Sequence, residues 1–253
     1  MILPIYDLEA LASHLRIEGH HPELTEMIQR CGDVGSAHQD ISQVLEYLEA
    51  LSDLAGPNPG YQLPDDMLGT IAGSLMVSAI VLYARATDTK PVNGERRKWF
   101  GDGKLSPAMR ITHQEVLNSR NKQVAHFGRS LVIDGDTMIE ETTVFRPNDP
   151  THLIGFLAAR IHNKAAFSGR FAELALTVLA LAEKAAGEAF IGTRAALVRA
   201  IGDDPTLADR IKLFPVTNER LLSTDSKPDG EWSESPDART YSGNVAARTT
   251  NGR

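Results

Sequence analysis

Hydrophobic residues recur at helical spacing along the first part of this 253-residue chain. Residues 5–17, 22–31 and 37–55 each place Leu, Ile, Val or Met three or four positions apart, which predicts three amphipathic helices. The next segment, residues 56–66, is dense in Gly and Pro and is typical of a long loop or linker. We therefore expect an N-terminal helical segment, residues 1–60, that ends at this loop.

The segment Met67–Ala84 has no charged residue over eighteen positions. A run of this length has to be weighed as a membrane helix. It is short for a span, rich in Gly, Ser and Thr, and has no second run like it in the sequence. We therefore expect a core helix that ends at Arg85, in a protein that does not span a membrane.

A further helix is predicted from Pro107 to about Phe127. Ser106 is a favourable N-cap, proline suits the first helical turn, and Gly128 suits a helix end.

The segments after Gly128 change character several times. Residues 130–146 carry β-branched residues on both sides of an Asp–Gly pair, which predicts a β-hairpin. Residues 152–190 have the pattern of one long helix, or of two with a break near Phe167–Gly169, and residues 192–222 that of shorter C-terminal helices. Residues 223–253 have almost no aliphatic side chains, as in a disordered tail. The prediction is a mainly α protein in which residues 61–191 form a helical bundle with a short β-hairpin insertion and additional N-terminal helices.

Charge is distributed unevenly along the chain, whose formal net charge is -7. Arg85–Arg129 contains ten Lys and Arg against four Asp and Glu, a local net of +6. Residues 1–66 contain two basic against twelve acidic residues, a net of -10. Two explanations stay open: the acidic and basic segments pack against each other, or the basic segment binds a polyanion.

The sequence lacks the common signatures of nucleotide, metal and disulfide sites. It contains no P-loop, no dinucleotide-binding glycine motif, no zinc-protease motif and no paired cysteines. The single Cys31 is best explained as a buried structural residue, and the cluster at residues 18–23, with two His and two Glu, as a solvated loop rather than a metal site. We expect no metal and no cofactor. The N-terminus lacks the basic start of a signal peptide, so we expect a cytoplasmic protein.

The helix that follows Ser106 carries the residues from which chemistry can be argued. His113 and Arg120, seven positions apart, fall on the hydrophobic stripe of this helix. The stripe consists of Met109, Val116, Leu117, Val124 and Phe127. A buried guanidinium needs an anionic or carbonyl partner, so Arg120 is expected either in an internal ion pair or in a pocket for an anion.

His126 lies six residues after Arg120, about 120° around the helix and ~9 Å along it. The negative end of the helix dipole favours its imidazolium form, whereas Lys122 opposes it. A histidine that titrates near neutrality beside a permanent cation suits acid–base chemistry on phosphate esters.

The segment Arg120–His126, RNKQVAH, resembles the motif of the HEPN superfamily, in which Arg is followed after four to six residues by His. The resemblance extends in outline over residues 63–188. It implies a helical bundle and a metal-independent ribonuclease in which His126 moves protons, Arg120 stabilises the charged phosphorane and Asn121 orients one of them. Lys122, His113 and Arg85 are the expected substrate-binding residues.

The resemblance also implies biological context. HEPN ribonucleases usually form their cleft from two copies of the motif, which implies a homodimer, and similar bacterial proteins belong to toxin–antitoxin and abortive-infection systems of phage defence. RNA and a cognate antitoxin or regulatory protein are the expected partners. Two alternatives stay open: a non-catalytic HEPN-fold module that binds nucleotide, RNA or protein, and a helical interaction protein in which Arg120 pairs with an acidic N-terminal helix.

Overall fold

The protein is mainly α-helical, as predicted. A computed structural model describes residues 5–56, 64–88, 99–125, 130–133, 136–145, 154–160 and 164–216. The helices are α1 Leu8–Glu18, α2 Pro22–Leu54, α3 Asp65–Asp88, α4 Pro107–Ser119, α5 Ala165–Asp203 and α6 Leu207–Ile211. A 3₁₀ turn spans Asp102–Lys104 and a π-helix spans Arg120–Ala125. The strands are β1 Ser130–Ile133, β2 Asp136–Phe145 and β3 Ile154–Arg160.

Residues Asp7–Phe214, which include all of these elements, form one compact unit. The other unit consists of Met1–Tyr6 and Pro215–Arg253, and in its described part Tyr6 forms an antiparallel bridge with Pro215. The boundaries predicted near residues 61 and 192 do not separate compact units, because α2 packs on α3 and α5, and α5 runs through residue 192 without a break. Residues 57–63 of the predicted linker and the predicted tail lie outside the described residues.

Helix α2 is one continuous helix of 33 residues, not the two helices predicted from residues 22–31 and 37–55. Two interior glycines weaken the sequence signal between them, since each costs ~1 kcal/mol relative to Ala. A Cβ at Gly32 would meet the Glu9 carboxylate of α1, which is the end of an exposed side chain that can move away, so close packing does not require this glycine. The buried stripe continues without interruption from Val34 to Ala37 and Ile41, and this packing decides the outcome.

Two hydrophobic clusters form the interior. The central cluster joins α2, α3, α4, α5 and β1, and its fully buried members include Ile41, Val44, Ala79, Tyr83, Val116, Phe171 and Leu174. The end cluster joins α1, α2, α5 and α6 and contains Leu11, Ala12, Leu15, Leu24, Ile28, Ala196, Ala200 and Leu207. The prediction that Met67–Ala84 forms a core helix is confirmed, because α3 contributes Met76, Ala79, Ile80 and Tyr83 to the central cluster.

Both α3 and α5 are long and apolar enough to cross a membrane by length and composition alone. Core helices of proteins in water pass the same test, so this property is weak evidence. In the Asp7–Phe214 unit, α3 and α5 both pack against α2.

The three strands form one antiparallel sheet in the order β1-β2-β3. The predicted hairpin is confirmed by β1 and β2, and the alternation on β1 buries Leu131 and Ile133 while Val132 is exposed. The third strand, Ile154–Arg160, was expected to be helical. A short apolar run does not distinguish strand from helix by its period, and pairing along β2 gives this one a β partner from Ile139 to Phe145.

Helix α5 begins at Ala165 and continues for 39 residues to Asp203. Of the two alternatives, the break near Phe167–Gly169 does not occur, because Phe167 and Phe171 are both buried in the central cluster and hold the first turns in place. The segment after residue 192 continues this helix, so α6 is the separate C-terminal helix among the described residues.

Candidate functional site

The candidate site lies at the end of α4. The predicted start of this helix is confirmed: the Ser106 hydroxyl accepts a hydrogen bond from the Met109 amide at 3.2 Å. The predicted end at Phe127 is wrong for an α-helix, because α-helical hydrogen bonding stops at Ser119 and a π-helix follows. The side chains after Ser119 therefore leave the α-helical phase that placed them on one stripe.

Arg120 is exposed, which corrects the expectation that it lies on the buried stripe. The buried positions of α4 are Thr112, His113, Val116 and Ser119. Ser119 thus takes the interior position at this level, and its hydroxyl donates to the Glu115 carbonyl at 2.8 Å. Arg120 sits at the edge of the stripe, from which a long side chain can carry its charge into solvent.

Asn121 holds the Arg120 guanidinium. The Arg120 Nη1 donates to the Asn121 Oδ1 at 2.9 Å, and both residues are exposed, as is Lys122. Adjacent side chains diverge on a helix, so this contact depends on the length of the arginine and directs it along the surface. Within the described part of the chain, Arg120 forms no ion pair. Its remaining N–H groups are available to an anion.

His126 lies outside the described residues. The described part of the motif is therefore Arg120, Asn121 and Lys122, which share one exposed turn and carry two permanent positive charges.

His113 faces the interior beneath this turn, as its position on the stripe predicted. Its ring is 5% exposed, and a hydrogen bond of 2.9 Å joins its Nδ1 to the Tyr83 hydroxyl. The ring also lies against Tyr83 and Phe100, with centroids 5.7 and 5.6 Å away. Burial raises the pKa of Tyr83 far above its ordinary range, so its hydroxyl stays protonated.

Arg85, at the end of α3, is bound by a carboxylate of the acidic N-terminal segment. Its Nε donates to one Asp40 oxygen at 2.8 Å and its Nη2 to the other, and the hydrogen bond to Asp40 raises the pKa of Arg85. The Asp40 side chain is only 5% exposed, whereas that of Arg85 is 54% exposed. The ion pair expected between Arg120 and the acidic segment is thus made by Arg85.

Asp40 is a residue that the sequence analysis missed. Its helical phase could have indicated its role, because Asp40 shares the buried face of α2 with Ala37, Ile41 and Val44. A carboxylate at such a position needs a partner. Two exposed pairs also join the acidic segment to the C-terminal helices, Glu23 with Arg199 at 2.8 Å and Glu18 with Arg210. The Arg85–Asp40 pair, which joins the acidic and basic segments, favours packing as the explanation of the charge asymmetry, although residues 89–98 and Arg129 of the basic segment lie outside the described residues.

The histidine cluster at residues 18–23 forms the turn between α1 and α2. Gly19 ends α1 in the left-handed region, and the His21 Nε2 lies 3.2 Å from an Asp204 oxygen. Hydrogen bonds from Thr206, then from His21, lower the pKa of Asp204. Across the described ranges, His, Cys, Asp and Glu form no group of three that could hold a metal ion.

A polar groove of about 510 Å³ between α1 and α2 was not expected from the sequence. Glu9, Arg16 and Asp33 line it, and the Arg16 Nη2 donates to the Gln29 Oε1 at 3.1 Å. Cys31 is half-buried nearby on α2, and burial raises the pKa of its thiol, which makes it a poor nucleophile.

Comparison of the chain with protein-family models, with curated proteins and with solved structures finds no match.

Proposed function

We propose that this protein is a metal-independent endoribonuclease of the HEPN type, with Arg120 and His126 as its catalytic residues. The observation that carries the proposal is the Arg120 guanidinium, which is exposed, held by Asn121 and free of ion pairs within the described ranges. Arg110 on α4 is also exposed, and Arg120 differs from it in lying within the RNKQVAH motif with Asn121 as its hydrogen-bond partner.

The local charge also supports a phosphate substrate. Arg120 and Lys122 present two cations on one turn, and two cations attract the RNA backbone more strongly than one. The fork of Arg120 suits two oxygens of one phosphate. The turn is π-helical, a geometry that occurs frequently at functional sites.

The proposed reaction is a transesterification within the RNA strand. His126 accepts the proton of a ribose 2′-hydroxyl, the 2′-oxygen bonds to the adjacent phosphorus, and the bond from phosphorus to the 5′-oxygen breaks. The leaving 5′-oxygen takes up a proton, from an imidazolium or from water, and the other product is a 2′,3′-cyclic phosphate. Arg120 stabilises the additional negative charge of the phosphorane, and Asn121 fixes the direction of Arg120.

The wider role follows from the same resemblance. We propose a cytoplasmic toxin or phage-defence ribonuclease that acts as a homodimer, with two copies of the motif at one cleft, and that a cognate antitoxin or regulatory protein restrains. A non-catalytic HEPN-fold module that binds RNA, nucleotide or protein is the alternative. It shares the exposed Arg120 and differs in that no bond is broken.

The test is RNA cleavage by the purified chain in EDTA, with fluorescent single-stranded oligoribonucleotides of mixed sequence as substrate. We expect Arg120→Ala and His126→Ala each to lower the cleavage rate at least ~100-fold, because each removes charge stabilisation or proton transfer in the transition state. Lys122→Ala should weaken RNA binding and its salt dependence while cleavage at saturating RNA persists.

Arg110→Ala is the matched control, since Arg110 is another exposed arginine on the same helix. It should cleave like the wild type. RNA binding that depends on Arg120 without any cleavage would favour the non-catalytic module. Equal cleavage by wild type and both catalytic variants would refute the assignment of Arg120 and His126.

A further inference from the structure

Helix α5 buries one face and exposes the opposite one. The buried face, from Phe171 to Ala200, packs into the two hydrophobic clusters. On the outer face Leu176, Phe190, Ile191 and Val198 are between 54% and 69% exposed. Large apolar side chains exposed in a row on one helix, unlike single ones scattered over a surface, indicate an interaction surface.

These residues belong to a stripe with the spacing of a helix–helix seam. Steps of four and three residues alternate along it before a last step of four, which is the spacing by which one helix packs along another. We name it the outer stripe of α5, and its members are Leu176, Ala180, Glu183, Gly187, Phe190, Arg194 and Val198. Ile191 lies beside it.

Gly187 has no packing reason within its own chain. A Cβ added to Gly187 would meet nothing within 4 Å, whereas one added to Gly192 would collide with the Met27 side chain of α2. A glycine inside a helix costs ~1 kcal/mol relative to alanine. The missing side chain leaves a notch on the exposed face, and Phe190 stands one turn away from it.

We propose that the outer stripe binds the same stripe of a second copy of this chain, with the two α5 helices antiparallel about a twofold axis midway between Gly187 and Phe190. Residues equally far from the midpoint then lie opposite each other. Phe190 of each copy enters the notch at Gly187 of the other. Small residues at such crossings let two helices approach closely.

The same register pairs opposite charges. Glu183 and Arg194 are also equally far from the midpoint, and because eleven residues make about three turns, they lie on the same side of the helix, near the middle of the stripe. Each Glu183 therefore faces Arg194 of the second copy, twice per dimer. Arg194 has no ion pair among the described residues, and Glu183, whose side chain is 55% exposed, has only His38 at 3.9 Å. Phe190 and Arg194 thus specify the register independently.

A contact that is symmetric about this midpoint and ends at Val198 begins at Leu179 and is about 29 Å long. One pair of helices of this length is at the small end of specific interfaces, so we expect a reversible dimer with a Kd in the micromolar range. This interface involves none of the ribonuclease residues and is distinct from the cleft between two motifs in the proposed function, so each of the two interfaces can be present without the other.

Sedimentation velocity of the full chain over a concentration series tests the proposal. The average mass of the wild type should double as concentration rises, from monomer to dimer, or from a dimer that the motif already forms to a tetramer. Arg194→Glu and Glu183→Arg should each weaken the dimer at least tenfold, because each places like charges opposite each other. The double variant Glu183→Arg/Arg194→Glu should recover most of the wild-type affinity, because it restores opposite charges in the same register.

A second set of variants tests the apolar contact. Phe190→Ala and Gly187→Leu should also weaken the dimer at least tenfold, the first by emptying the notch and the second by filling it. Ile111→Ala, which shortens a side chain exposed to 64% on α4, is the matched control and should dimerise like the wild type. A chain that stays monomeric at every concentration, a dimer insensitive to Arg194→Glu and Phe190→Ala, or a double variant no better than the single variants would each overturn the proposal.

Discussion

Asp40 shows how one buried charge fixes the position of a helix end. Its carboxylate is almost completely removed from water inside α2, and both oxygens are bound by Arg85 at the end of α3. Burying an isolated carboxylate costs free energy, so the ion pair between Asp40 and Arg85 favours one relative position of α2 and α3. Half of the Arg85 side chain remains exposed, which leaves room for the substrate role expected from the sequence beside the structural one.

Arg85→Met should destabilise the fold. The variant removes the Arg85 cation from the buried Asp40 carboxylate, but solvent at the half-exposed Arg85 screens the pair, so we expect a loss of about 2 kcal/mol. Equilibrium urea unfolding measures it. The double variant Asp40→Asn/Arg85→Met should recover part of the loss, and Arg110→Met, at an exposed arginine, should change stability by less than ~0.5 kcal/mol. Unchanged stability in Arg85→Met would show that the pair does not stabilise the fold.

At the level of single residues, the sequence predicted the burial of His113 correctly and that of Arg120 incorrectly. Both have the right helical phase, but an imidazole can be satisfied inside by the Tyr83 hydroxyl, whereas a guanidinium at the stripe's edge is more stable in water. The helical phase alone does not predict this difference between His113 and Arg120. The difference depends on whether another helix supplies a buried hydrogen-bond partner. His126 of the candidate site stays a prediction from the motif.

Among the elements, the start of α4 was easier to predict than its end and than the continuity of the longer helices. Ser106 and Pro107 act within one turn, so the start of α4 follows from local chemistry. The continuity of α2 through Gly32 and the strand character of Ile154–Arg160 both depend on distant partners. Tertiary packing decided each of these against the local pattern.

Gly187→Ala should stabilise the monomer. The added methyl group meets nothing within 4 Å and replaces the most flexible residue inside a helix, so the expected gain is ~0.5–1 kcal/mol. Thermal unfolding at low protein concentration, where the proposed dimer dissociates, measures it.

Gly192→Ala is the matched control five residues further along α5. Its methyl group would collide with the Met27 side chain, which has to shift, so its gain should be smaller or absent. A Gly187→Ala variant less stable than Gly192→Ala would contradict the open space at Gly187.

For the whole molecule, the acidic N-terminal segment belongs to the same folded unit as the candidate site. The central cluster takes Ile41, Val44, Leu48 and Leu51 from α2, so this helix supplies core and not only charge. The Gly- and Pro-rich composition after residue 55 suggested a domain boundary. Such a composition predicts a loop, but it does not show whether the helices before and after the loop pack against each other.

A chain that begins at residue 61 should therefore fail to fold. Without α2, the apolar faces of α3 and α5 lose the helix that both pack against, and we expect no cooperative thermal transition. Circular dichroism during heating measures this. A chain that lacks residues 223–253 is the control and should unfold cooperatively. A cooperative transition in the N-terminal deletion would mean that residues 61–222 form an independent domain.

Helices α2 and α5 each contribute to both hydrophobic clusters. If α2 and α5 separate at one end, the same two helices are strained at the other end. The backbone amides of the two clusters should therefore exchange with solvent as one cooperative group. A ligand that tightens either end would then slow exchange at both. Helices α2 and α5 thus connect the turn at His21 to the central cluster, in which α4 packs.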